Sequence, residues 1–207
     1  IRLAIGTTYG GMGMYEESEE HLAEALDIYL DILGREHPDT IRASSKMGGI
    51  LLRLGRYKEA ERYLLEALDL SRRVLGDDDP LTLNTIDIMG SLRYSQGQLA
   101  NAETYYQEAI AGRERVLGED HDQTLSSIGN MGNLRLAQHK YVEAEEYLRQ
   151  ALEGRRRTLG HDHPSTLWSL TSMGIVLQRQ GNYDEAEVYI RESLEGNRRV
   201  LGGEHPS

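Results

Sequence analysis

Along the stretch YKEAERYLLEALDLSRRVLG, apolar or small side chains recur at steps of three and four: Tyr57, Ala60, Tyr63, Leu64, Ala67, Leu68, Val74 and Leu75. That spacing marks one face of an α-helix, and the charged residues between them fill the other face. Arg72 and Arg73 stand in the last turn, where cations oppose the negative end of the helix dipole. Arg155 to Arg157, and Arg198 with Arg199, occupy equivalent places. Gly76 follows as a residue free to take left-handed backbone and end the helix. The preceding stretch, PDTIRASSKMGGILLRLG, predicts a partner helix. It starts near Pro38, where a proline in the first turn loses no hydrogen bond, and ends at Gly55. The two form a hairpin, helix A then helix B. No stretch alternates as a strand does.

The hairpin recurs. Leu33-Gly34, Leu75-Gly76, Leu117-Gly118, Leu159-Gly160 and Leu201-Gly202 lie 42 residues apart, as do Thr40, Thr82, Thr124 and Thr166. Met47-Gly48 and Ala60 found columns with the same period. The expected units are 1–37, with a shortened first helix A, then 38–79, 80–121, 122–163 and 164–207. One hairpin cannot bury its apolar face alone, so consecutive hairpins must stack into an all-α solenoid. Gly48, Ala60 and Ala67 are the small residues expected where helix axes approach closely.

The run MGGILLRLGRYKEAERYLLEAL resembles the tetratricopeptide repeat: a small residue on helix A, G-x-Y entering helix B, then two alanines seven apart. Continuation through RRVLGDDDP to a 42-residue unit is similar to the kinesin light chain type. The resemblance covers essentially the whole chain and implies a right-handed superhelical solenoid of stacked antiparallel helix hairpins. Leu99 replaces the tyrosine of G-x-Y in one unit, His139 its glycine in another, and Asp122 stands in the proline column. Ile1 begins inside a helix A and GGEHPS ends where another unit would begin, with no visible polar cap. A piece of a longer array is the expectation.

Charge and composition narrow the function. A net charge of -11 and a pI near 5.1 oppose a nucleic-acid partner. The absence of cysteine closes thiolate and disulfide chemistry. There is no apolar run long enough for a membrane span and no signal-peptide pattern, so a cytoplasmic, soluble protein without a membrane partner is expected. No metalloprotease, phosphate-loop or nucleophile-elbow motif appears, so no enzyme activity, catalytic residue or cofactor is expected. GGMG at Gly10 to Gly13 lacks the lysine and hydroxyl of a phosphate loop, and Gly13 belongs to the column of Gly55, Gly97 and Gly181. LGHDHPSTL sets His161, Asp162 and His163 side by side, yet its siblings read LGREHPDTI, LGDDDPLTL and LGEDHDQTL. A metal could not exchange ligands so freely, whereas His or Asp suits the start of the next helix A. No metal site is expected.

By the same resemblance the A helices line a concave face, and positions carry over from the small residue of each helix A. They are Arg42, Ser45, Lys46 and Arg53; Asn84, Asp87, Ser91 and Tyr94; Asn130 and Asn133; and Trp168, Thr171, Gln178 and Arg179. Arg42, Lys46, Arg53 and Arg179 against Asp87 give this set a net charge of about +3 inside an acidic protein. The expected function is a non-enzymatic scaffold for protein-protein interaction, binding a linear acidic peptide. Arginines would engage its carboxylates, Asn130 and Asn133 its backbone, and Trp168 an apolar or aromatic anchor. The alternative is a self-association module, end to end or dimeric, within a larger signalling protein.

Overall fold

The computed structural model describes residues 1–202; residues 203–207 lie outside the described residues. Among the described residues there are ten helices and no strand. They run α1 (Arg2–Gly11), α2 (Tyr15–Ile32), α3 (Pro38–Arg53), α4 (Tyr57–Leu75), α5 (Pro80–Ser95), α6 (Leu99–Leu117), α7 (Asp122–Ala137), α8 (Tyr141–Leu159), α9 (Pro164–Gln180) and α10 (Tyr183–Leu201). Odd-numbered helices are the A helices and even-numbered ones the B helices. The chain divides into two compact units, 1–112 and 113–207, with the division inside α6.

In both units each helix A crosses its helix B at a glycine. A Cβ on Gly48 would stand 2.5 Å from Leu64 Cγ and 3.3 Å from the Ala60 carbonyl oxygen. At Gly132 the distances are 2.7 Å to Leu148 Cγ and 3.3 Å to the Ala144 oxygen. These columns therefore set the axis separation, and the larger residues close over them. Leu64, Leu68, Ile86, Met89 and Leu92 form the core of the first unit. Leu148, Leu152, Leu170, Met173 and Val176 form that of the second. Four of the turns from helix A to helix B use a left-handed glycine, as at Gly55 (φ 74°). His139 takes that conformation at φ 61°, so its departure from the glycine column holds a side chain in backbone that L-residues adopt reluctantly.

The connections between hairpins are built by the columns around the proline. His37, His121 and His163 each accept, through Nδ1, the backbone N–H two residues on, at 3.2 to 3.3 Å. Asp79 does the same through its carboxylate at 2.8 Å. His163 of the triple cluster is thus an N-cap. Its neighbour Asp162 is instead held at 2.6 Å by Arg199, 37 residues on. That bond keeps the Asp162 carboxyl below the ordinary carboxylate range, so its stabilising contribution is complete above that range and fades as pH falls through the lowered value. Glu36 with Arg73 and Asp120 with Arg157 repeat the pair at the same spacing. Each connection is tied to the far end of the helix B that shares this pairing.

The cap column makes a prediction. A carboxylate is the shorter acceptor here and favours the positive end of a helix dipole. His163→Asp is therefore expected to stabilise the second unit by about 0.5 to 1 kcal/mol at neutral pH. A rise in the urea midpoint at unchanged slope is the measurement; a fall would mean that the imidazole contributes packing beyond its cap.

Candidate functional site

The predicted lining residues divide between the two units. In the first, Arg42 and Arg53 are exposed and Lys46 is half-buried. Arg42 reaches Asp39 at 3.7 Å, and Arg53 makes no ion pair among the described residues. Burial lowers the Lys46 pKa, and the neighbouring Arg42 charge lowers it further. The B-helix side of the same unit is arranged differently. There Arg56 grips Glu19 and Glu59, Arg72 grips Glu108, and Arg73 grips Glu36. Cations on α3 are thus weakly compensated, whereas Arg56, Arg72 and Arg73 are each held by a carboxylate.

On α5, Asn84 and Asp87 are half-buried and Tyr94 is exposed. The Ser91 hydroxyl donates to the Asp87 carbonyl at 3.2 Å and accepts from the Tyr106 hydroxyl at 3.3 Å. Burial pushes the Tyr106 hydroxyl well above its ordinary pKa, so it remains a donor. Ile88 on α5 sits beside Gly49 on α3, where a Cβ would meet its Cδ1 at 3.7 Å. This contact brings the two predicted stretches together.

Ser45 is a correction. It is 0% exposed, and its hydroxyl is 2.8 Å from that of Thr85. The side chain ties α3 to α5 and is closed to any ligand.

In the second unit Asn130 and Asn133 are half-buried on α7, and Gln178 and Arg179 are exposed on α9. Arg179 has no ion pair among the described residues. Thr171 turns toward α10, its hydroxyl 2.9 Å from that of Ser193. Trp168 is 46% exposed. Its ring lies over α7, with Cζ3 3.4 Å from where a Cβ on Gly129 would be, so the glycine makes room for the indole.

Beneath Trp168 lies a group that periodicity did not reveal. The Arg155 guanidinium is 5.9 Å from the indole centroid and its residue is 3% exposed. It donates to Ser169 Oγ at 2.8 Å, Ser126 Oγ at 2.7 Å, the Ser165 carbonyl at 3.4 Å and Asp122 at 3.2 Å. Burial lowers its pKa while Asp122 opposes the shift; arginine stays charged regardless. Arg113 repeats the motif on Gln123 O and Ser127 Oγ. The signal in the sequence is the column Ser71, Arg113, Arg155, Asn197, where two arginines face serines fourteen residues on.

The family model for the tetratricopeptide repeat matches residues 1–69, 41–114, 86–157 and 127–199. No curated protein sequence matches the chain. Among solved structures, the nearly identical repeats of a Podosopora anserina putative kinesin light chain are 21% identical. That match covers 97% of this chain and 95% of that one at a TM-score of 0.72. BtubC (BKLC) from P. vanneervenii is 20% identical over 98% of this chain and 80% of its own, with a TM-score of 0.76. A Rap conjugation gene regulator in complex with a Phr peptide is 16% identical over 97% of this chain and 53% of its own, at 0.82. At these identities the likeness is one of fold.

Proposed function

Because the chain belongs to the tetratricopeptide repeat family, we propose that it is a non-enzymatic cytoplasmic scaffold that holds a linear, acidic peptide segment against its A helices. The observation that carries this reading is the weakly compensated cationic surface of α3, Arg42, Lys46 and Arg53, in a protein of net charge -11. An anion between Arg42 and Lys46 relieves their mutual repulsion, and charge-assisted hydrogen bonds make carboxylates the matching group. On the second unit, Arg179 offers a further cation, Asn130 and Asn133 amides for a peptide backbone, and Trp168 an apolar surface. The Rap regulator of similar fold is itself a peptide complex.

Fluorescence anisotropy with labelled acidic and neutral peptides tests the proposal. Arg42→Glu/Arg53→Glu changes two exposed residues, so the fold is retained. Acidic peptides are expected to lose at least about ten-fold in affinity, with a larger loss at low salt. Equal binding by wild type and variant would overturn the electrostatic reading. Self-association is the second reading, favoured by a cleft of about 510 Å³ between α9 and α10 whose lining includes Tyr183, Ala186, Ile190 and Leu194. Sedimentation of the same samples across concentration addresses it, and a constant monomer mass removes it.

A further inference from the structure

One packing space in the first unit differs from its siblings at coordinated positions. Between α2 and α4, above α3, lies a cavity of about 70 Å³ walled by Leu26, Ile41, Ser44, Tyr63 and Leu70. Ser44 stands where the siblings carry Ile86, Ile128 and Leu170. Those three are core residues, whereas Ser44 leaves the position without an aliphatic group and makes only a long bond, 3.5 Å, to the Tyr63 carbonyl. Leu70 replaces a glycine in the column of Gly112, Gly154 and Gly196, which adds apolar wall on the opposite side.

The rim has changed too. In two of the three sibling spaces an arginine closes the rim, Arg72 holding Glu108 and Arg156 holding Glu192, while the third has Glu114 and Gln150 in those columns. Here Leu30 stands in the arginine column, and the equivalent acid, Glu66, pairs at 3.0 Å with Arg35 from the exposed connection. The rim therefore offers an apolar wall and one charge of each sign. Such an exposed ion pair is weak, so exchanging it for contacts to a ligand costs little.

Independently of the peptide reading, we propose that this cavity binds a small branched-chain α-amino acid of about the size of valine. Its alkyl group lies against Leu26, Ile41 and Leu70, its carboxylate on Arg35 and its ammonium on Glu66. Size follows from volume: an apolar cavity of about 150 Å³ accepts benzene, so about half that volume suits an isopropyl group. Charge follows from the rim, where a zwitterion replaces both partners of the ion pair at once.

Titration of isotope-labelled protein with L-valine, followed by NMR, tests the site. Saturable shifts around Ile41, Ser44 and Leu70 are expected, with a dissociation constant of about 1 mM. N-acetylvaline amide, without either charge, is expected to bind at least about ten-fold more weakly, and L-phenylalanine not at all. Ser44→Ile fills the cavity from within. Leu30→Arg, an exposed change, restores the sibling ion pair with Glu66 and keeps the test valid if isoleucine proves too large for the core. Both variants are expected to abolish binding. No saturable shift in wild type, equal binding of the uncharged amide, or undiminished binding in folded Leu30→Arg would each overturn the proposal.

Discussion

Gly132→Val is expected to destabilise the second unit by about 3 kcal/mol or more, enough to remove most of the stability of a marginal domain. A Cβ at this position stands 2.7 Å from Leu148 Cγ and 2.9 Å from its Cδ2, with the Ala144 carbonyl at 3.3 Å. The leucine could swing aside only into a core that is already filled, since Leu148 and Ala144 are fully buried. The carbonyl belongs to a helix and cannot withdraw, so α7 and α8 must separate, and the valine methyl groups widen the gap further. A helical glycine would ordinarily gain about 1 kcal/mol on replacement by alanine, too little to offset such a separation. Gly49→Ala provides the contrast. Its nearest neighbour is Ile88 Cδ1 at 3.7 Å, an ordinary contact, so the helix-forming gain survives there. Urea denaturation of the two variants beside wild type reads the difference; a Gly132→Val protein as stable as wild type would show that the hairpin can open without penalty.

The second large effect concerns Arg155. Arg155→Ala is expected to cost about 2 to 4 kcal/mol, toward the low end for a broken buried ion pair because Asp122 keeps 41% of its side chain exposed. The loss is mostly that of hydrogen-bond partners. Ser126 and Ser169 hydroxyls and the Ser165 carbonyl have the guanidinium as a shared donor, and alanine leaves them facing a void beneath Trp168. Because the group is buried, the loss is expected to persist at high salt, unlike the loss from removing an outer pair such as Arg199 with Asp162. Urea unfolding at two salt concentrations, with hydrogen exchange in the first turn of α9, separates the cases. A loss that disappears at high salt would place the interaction at the surface instead.

The period of the chain, the two faces of each hairpin and the N-cap column were all legible because each depends on local residue choice repeated in register. The glycine at each helix crossing was legible for the same reason: a missing side chain recurring every 42 residues has a packing meaning before any coordinates exist. What periodicity could not separate was the direction of neighbours within one turn. Arg155, Arg156 and Arg157 read as one cationic last turn, yet successive helical residues point about 100° apart. The first enters the core, the second reaches Glu192 at 2.6 Å, and the third holds Asp120. Ser45 fails for a related reason. Its place in the repeat puts it on helix A, but whether that arc meets water or the next helix A depends on Thr85, 40 residues away. The expected acidic ligand rests on exposed cations, a surface property that repeat columns leave free to vary.

The position of the indole has a practical consequence for following this molecule. Trp168 is the chain's only tryptophan, and it sits in the second unit against Gly129 and Arg155. Its emission therefore monitors one unit while circular dichroism sums the helices of both. If the two signals coincide during melting, the array unfolds as a single cooperative body; if emission changes at its own temperature, the halves part company.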